Sequence, residues 1–492
     1  MTPAQIKAQF NEAQACIRNQ KPEQAARLLR ALLIPTAQAP EVNYQLARAL
    51  DRLGDTQGAA RALHAALQKR PGDPVLSDAA LPIFTRAGDS QAVLAIHDAR
   101  IAAQPNKIAP RADKATYLQN IGEFGKASII LRRLVKRHPD ETDLYRLIFF
   151  AEKARKGDPL IREMKRLWAH PKLNDAGRMA LGFTLAKVHE DIGEPDQVFA
   201  YLNAANAAQA RQYRHDPDAR RSRWAAYKQG QQALDLTPRD GTAPIQPIFV
   251  TGTPRSGTTL VEQILSAHSA VTAGGELAHA EQLANAVFGG NQTFADLSKA
   301  APEAFTDFAD KYAVLVRRDT GVDSGRVTDK SIQLQNIYGL LAHALPGARF
   351  IVVHRDPRDV ALSIYKNFFR PGAHRYANDL AAIADMIQAF RDQVTYWKTR
   401  MPERIHEVHY EDLVADPEPQ THLLIAAAGL DWEEACLSPH TQTNRVKTLS
   451  LAQVRQPIHT GRRDSWRRYE AELKPFIDAW GDRPFDAKEW DA

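Results

Sequence analysis

One interval governs the first half of the chain: residues of matched chemistry recur every 34 positions. Gly54, Gly88 and Gly122 keep this step, and so do Pro71, Pro105 and Pro139. Ala25, Ala59, Val93 and Ala127 form a third series; Leu33, Leu67, Ile101 and Val135 form a fourth. A fixed period of this length specifies one small unit stacked on copies of itself, because a single unit cannot bury its own apolar face. The residue types identify the unit. Each glycine precedes an acid, Asp55, Asp89 or Glu123. Glycine adopts the left-handed conformation that ends one helix, and the acid then meets the positive N-terminus of the next. Each proline falls where the second helix must stop. Leu46, Ala47 and Leu50 on the first helix, and Ala59, Leu63 and Leu67 on the second, have helical spacing. The small or β-branched residues at 25, 59, 93 and 127 allow the helices to approach closely.

This pattern resembles the tetratricopeptide repeat family. The resemblance covers residues 3–140 and continues more loosely through Gly157 and Gly193, where the spacing becomes 35 and then 36. Val198, Leu202 and Ala205 still resemble a second repeat helix, while the large aromatic residue early in the unit is mostly missing. Such an array either supports the rest of the chain or offers a concave groove to a peptide or protein.

Composition narrows the remaining choices. With 44% hydrophobic and 25% charged residues, the 492-residue chain is neither a disordered polymer nor a fibre. A net charge of +6 over this length is too weak to argue for nucleic acid, and it suits a site for a multiply phosphorylated small ligand. Two distant cysteines, Cys16 and Cys436, exclude a disulfide scaffold and a multi-cysteine zinc site. No apolar run approaches the length of a membrane span, and the N-terminus does not read as a signal peptide. The expectation is a cytoplasmic protein without a membrane span.

The second half changes character. Around Leu236–Pro247 the helical pattern breaks into Pro, Gly and Thr, which marks a linker. The predicted domains are therefore 1–235, helical repeats, and 248–492, an α/β domain with a central parallel sheet, joined by 236–247. Ile248-Phe249-Val250 reads as a buried strand, followed by the loop Thr251–Thr259 and by Leu260, Val261, Ile264 and Leu265 at helical spacing. Strand, glycine-bearing loop and helix together wrap anionic oxygens, since backbone N–H groups and the helix N-terminus point at the ligand. Gly252 and Gly257 have the spacing of a P-loop, but Thr258 stands where its lysine belongs, and the positive charge is Arg255, inside the loop. The sequence thus holds phosphate without advertising a metal.

A second constellation lies after Phe350–Val353, a predicted strand ending in His354-Arg355-Asp356-Pro357-Arg358-Asp359. An arginine at the carboxyl end of a parallel strand faces the ligand crevice of an open α/β sheet. Ser363, eight residues on and on the next helix, can share its phosphate. A kinase catalytic loop is rejected, because Ala361 replaces the required asparagine and no Asp-Phe-Gly stands downstream. Two phosphate sites without magnesium suggest a nucleotide carrying phosphate at both ends.

The segment Arg255-Ser256-Gly257-Thr258-Thr259, with Val353–Ser363, resembles the sulfotransferase family, over residues 247–485. The resemblance implies 3′-phosphoadenosine 5′-phosphosulfate (PAPS) as donor, Arg255, Ser256, Gly257, Thr258 and Thr259 around its 5′-phosphosulfate, and Arg355 with Ser363 around its 3′-phosphate. Gly274-Gly275-Glu276 and Asp329-Lys330 resemble segments of protein-tyrosine sulfotransferases, which use a glutamate as base. That implies Glu276 as base, Lys330 and Arg255 beside the leaving oxygen, and a tyrosine of a protein or peptide as acceptor, recruited by the repeats. A related stretch would close over the nucleotide through Ser450, with Arg455 carrying the charge, because Gln456 occupies the usual lysine position. His268, His279, His354 and His374 are rival bases; Trp466 and Tyr469 read as packing residues of the C-terminal part. Other readings stay open: a small-molecule, glycan or lipid acceptor, a P-loop kinase, or an inert repeat scaffold. The sequence allows a homodimer.

Overall fold

The computed structural model describes residues 1–237, 243–289, 293–370, 372–441, 458, 461 and 463–490. The chain forms two compact units: Met1–Lys114 with Thr306–Gly325, and Ala115–Phe305 with Arg326–Ala492. The change of sequence character at 236–247 is therefore not where the units divide.

The first unit shows the predicted hairpins. Pro40–Arg52 pairs with Thr56–Lys69, and Pro74–Ala87 with Ser90–Ala103. Gly54 and Gly88 take φ of +77° and +82°, as a left-handed helix end requires. Asp55 and Asp89 then cap the next helices, their carboxylates accepting the N–H groups of Gly58 and Ala92. Arg70 and Gln104, each directly before a proline, leave the helix at φ of −131° and −133°, because the proline ring excludes helical geometry at the residue before it. Ala25, Ala59 and Val93 are fully buried, and so is Ala127 in the other unit. The Leu33, Leu67 and Ile101 series is only partly covered.

The sequence did not announce Thr306–Gly325 as part of this unit. Most of the helix Pro302–Thr320 lies within it. Its C-terminal end closes on the turn at Gly54: a Cβ there would lie 2.8 Å from the Val314 carbonyl oxygen. Thr56 Oγ1 donates to the Arg318 carbonyl at 2.5 Å, and Arg317 donates to that of Leu53. Arg86 pairs with Asp51 and stands 3.6 Å from Asp319.

The second unit carries the sheet. Its strands are β1 (Ile245–Gly252), β2 (Val271–Ala273), β3 (Gly325–Asp329), β4 (Arg349–His354) and β5 (Ile405–His409), in the order β2-β3-β1-β4-β5. β1 with β4, β4 with β5 and β2 with β3 run parallel, aligning Gly252 with Val353 and His354 with His409. Side chains alternate across β1. Ile248 and Val250 join Val261, Ile264 and Leu265 of the next helix in one cluster. Phe249 stacks on Phe350, whose ring also meets Tyr338. The chain leaves β1 towards β2 and leaves β4 towards β5, on opposite sides. The crevice between the carboxyl ends of β1 and β4 is therefore the switch point where such sheets bind ligands.

Later repeat-like helices belong to this same unit. Gly193 keeps the left-handed turn, at φ +80°, between Asp175–Asp191 and the helix pair completed by Val198–Gln212. Phe199 and Leu202 share a core with Val360 and Ile364 of the helix Pro357–Tyr365, and with Trp466, Tyr469 and Trp480. Asn206 donates to the Tyr365 carbonyl at 3.0 Å, and the Tyr365 hydroxyl donates to Asn203 at 2.9 Å.

Candidate active site

The loop after β1 is built by exclusion of side-chain bulk. A Cβ on Gly252 would lie 2.4 Å from Ser256 Oγ and 2.9 Å from the Val353 carbonyl oxygen, so only glycine lets the loop turn here. Arg255 holds φ of +74°, a conformation that L-residues rarely adopt and that clusters at functional sites. Gly257, at φ +107°, opens the helix Thr258–Ser266; the ring of Tyr410 lies 2.6 Å from where its Cβ would stand. No side chain caps this helix, so its first N–H groups and partial positive charge face the loop. Ser256 is fully buried, and its hydroxyl has no hydrogen-bond partner among the described residues. A buried unpartnered hydroxyl inside an anion-shaped loop is what a bound phosphate oxygen would satisfy.

The loop after β4 meets this one directly. Arg355 Nη1 donates to the Arg255 carbonyl at 3.2 Å, and its guanidinium stands 3.5 Å from Asp359 and 4.6 Å from the centre of the Tyr410 ring. Arg255 Nε donates to Ser363 Oγ at 3.0 Å. Ser363, expected to serve one phosphate with Arg355, thus also touches the arginine expected at the other. Asp356 caps the helix Pro357–Tyr365 and pairs with Arg358 at 2.6 Å. Trp466 and Tyr469 are buried, with the Arg358 guanidinium 3.9 Å from the centre of the Trp466 ring. They pack, as the sequence suggested.

A second group gathers at the ends of β2 and β3. Gly274 must be glycine, since a Cβ would fall 2.1 Å from the Thr328 carbonyl oxygen. Gly275 then turns through φ +71°, placing Glu276 in the loop ahead of the helix His279–Phe288. Lys330 comes directly after β3, is 2% exposed, and donates to Glu276 Oε1 at 3.1 Å. Glu276 is half exposed, so its carboxylate remains open to an acceptor while Lys330 is withdrawn from water. The sequence missed a third member, Glu262, which is buried on the helix Thr258–Ser266. Glu262 Oε1 accepts the Gly275 N–H and the Thr328 hydroxyl, both at 2.9 Å, and Oε2 lies 3.9 Å from Lys330 Nζ. The sequence offered a partial signal, an acid among Leu260, Val261, Ile264 and Leu265, but nothing in it named the partners.

The rival histidines separate clearly. His268 is bound to the Asp431 carbonyl at 2.8 Å, and His354 to Glu407 at 3.0 Å. His279 is buried at the start of its helix. His374 faces Glu276; burial lowers its pKa and the Glu276 charge raises it in part. Ser450 and Arg455 lie outside the described residues. Among the described residues, no three His, Cys, Asp or Glu side chains could hold a metal ion, and no helix is long and apolar enough to cross a membrane.

Residues 247–434 match the model of the sulfotransferase family. An uncharacterized protein of Aquifex aeolicus is 30% identical over 379 residues, covering 73% of this chain and 48% of its own length. Protein-tyrosine sulfotransferase 2 of Gallus gallus is 24% identical, covering 42% of this chain and 57% of its own length. The chain therefore spans only about half the length of these curated relatives. Among solved structures, the sulfotransferase domain of the Synechococcus PCC 7002 olefin synthase is 22% identical, with a TM-score of 0.34, covering 47% of this chain and 91% of that one. The protein thus joins a tetratricopeptide-like helical array to a region, residues 247–434, that matches the sulfotransferase family.

Proposed function

We propose that the protein transfers a sulfuryl group from PAPS to an acceptor hydroxyl, that of a tyrosine in a protein or peptide, with Glu276 as base. The observation that carries this reading is the Lys330–Glu276 pair at 3.1 Å, linked through Glu262 to the helix that opens at the phosphate loop. When bound, the donor supplies an activated sulfuryl group on its 5′-phosphate. The uncapped helix start, Ser256 and Arg255 suit the 5′ end, and Arg355 with Ser363 suits the 3′-phosphate. Glu276 takes the acceptor proton as the new O–S bond forms; the S–O bond to the phosphate breaks, and its electrons stay on the phosphate oxygen. Lys330 and Arg255 oppose the charge that develops there, as preplaced cations. The repeats of residues 1–235 would present the acceptor, which fits the likeness to a protein-tyrosine sulfotransferase.

Thermal unfolding tests the donor class, because a ligand that binds only the native state raises the melting temperature. Adenosine 3′,5′-bisphosphate without metal is expected to stabilise the protein. Stabilisation by magnesium-ATP alone would move the assignment to a kinase. Transfer of labelled sulfate to tyrosine peptides, but not to phenylalanine controls, then tests the acceptor.

A further inference from the structure

Lys330 presents an electrostatic problem. An ammonium that is 2% exposed needs a counter-charge, because an unpaired buried charge is strongly destabilising. Its nearest carboxylate is Glu276 at 3.1 Å. Yet Glu276, read as the base, loses its charge when it accepts the acceptor proton. At that moment Lys330 turns to the charge developing on the leaving oxygen and loses Glu276 as its protein counter-charge. Among the described residues, the other carboxylate within ion-pair distance is Glu262, at 3.9 Å.

The donors and the cation around Glu262 favour its charged form against the cost of burial. The Gly275 N–H and the Thr328 hydroxyl both donate to its Oε1. Thr328 in turn accepts the Gly274 N–H at 3.1 Å, so its own proton is committed to Glu262. The Lys330 ammonium faces Oε2. Burial raises the Glu262 pKa on balance, helped by the Asp329 charge, and Lys330, Thr328 and Gly275 oppose that rise. The Asp329 carboxylate is itself turned to Ser331, which donates both its N–H and its hydroxyl.

We infer that Glu262 is a positioning residue, the fixed counter-charge that keeps Lys330 seated and cationic while Glu276 carries the acceptor proton. This rests on the sulfuryl-transfer reading above. Glu262 also binds the phosphate-loop helix to the two loops that bear Glu276 and Lys330. The donor-binding and proton-accepting parts thus share one buried carboxylate.

The test is a double-mutant cycle of Glu262→Gln and Lys330→Met in the full chain. It measures turnover of PAPS with a tyrosine peptide, the bisphosphate-induced melting shift, and the melting temperature itself. Glutamine keeps an oxygen for Gly275 and Thr328 but removes the charge. The expected result is a fall in kcat of about tenfold or more, with KM for the donor and the bisphosphate shift nearly unchanged. The double variant should be no slower than Lys330→Met alone, because the two residues act as one unit. Losses that multiply, or an unchanged kcat in Glu262→Gln, would overturn the inference. If Glu262→Gln is too unstable to assay, Thr328→Val removes the hydrogen bonds to Glu262 and from Gly274 and leaves the ion pair; a comparable kcat loss there would assign the effect to loop geometry and refute a counter-charge role. A wild-type chain that turns over no donor would refute the sulfuryl-transfer reading. The pairing would then be judged by stability: Lys330→Met should restore part of the melting temperature lost in Glu262→Gln, and failure to do so refutes it.

Discussion

Glycines in the helical array and glycines around the sheet solve different problems. Gly88, Gly157 and Gly193 are needed for their backbone angle, φ of +82°, +86° and +80°. Around Gly157 and Gly193 a Cβ would meet nothing within 4 Å. Gly252 and Gly274 are needed because no space exists: a Cβ would collide with Ser256 and Val353 in one case and with Thr328 in the other. The first kind is a local conformational requirement that neighbouring repeats share and can absorb. The second is a three-dimensional requirement in which one added carbon displaces parts of the site. Gly54, where the helix Pro302–Thr320 closes on the turn, combines both requirements.

Substitution can break this contrast, and the greatest effect should come from the loop. Gly252→Ala should abolish the melting shift induced by adenosine 3′,5′-bisphosphate, because the backbone around Ser256 must move. Overpacking alone costs roughly 1–3 kcal/mol. A retained shift would mean that the loop relaxes without loss of binding. Glu276→Gln sharpens the contrast by removing chemistry without shape. Turnover should fall by about 10²–10⁴, the usual contribution of a general base, while the bisphosphate shift persists. A fully active variant would exclude Glu276 as base.

The strand ends supply a gentler test. Burial and the charge on His354 push His409 down to about 4, and burial also lowers His354. Both histidines are thus depressed below the value of about 6.5 for an unfolded chain. Their neutral forms contribute stability that is complete above that value and lost as pH falls towards about 4. Melting temperature should therefore drop across this window, and less steeply in His409→Gln. An equal drop in the variant would remove His409 from the account. The smallest effect belongs to Gly193→Ala, at about 1 kcal/mol, read as a modest fall in melting temperature with turnover unchanged.

How much could be read from the sequence obeys the same division. The array was legible because its requirements are local and repeated: glycine, acid and proline each state their role within a few residues. The loop between β1 and its helix, and the position of Arg355, were legible because the strand, loop and helix that frame each are contiguous. Glu262 was not, since its partners Gly275, Thr328 and Lys330 come from two other loops, and an acid on a helix ordinarily reads as a solvated face. Nor was the meeting of Arg255 with Ser363, residues assigned to opposite ends of a nucleotide. Thr306–Gly325 was overlooked because an amphipathic helix does not state which surface it will cover.

That last segment sets a timetable for synthesis. The first compact unit is discontinuous in sequence, and Arg317 and Thr56 join its two pieces at the Gly54 turn. Residues 1–114 leave the ribosome about two hundred residues before the helix that completes them. At ~5–20 residues per second, the nascent repeats wait roughly ten to forty seconds with that surface uncovered. Meanwhile β1, β2 and the phosphate loop emerge, and the turn at Gly54 becomes the last part of the oldest unit to be finished.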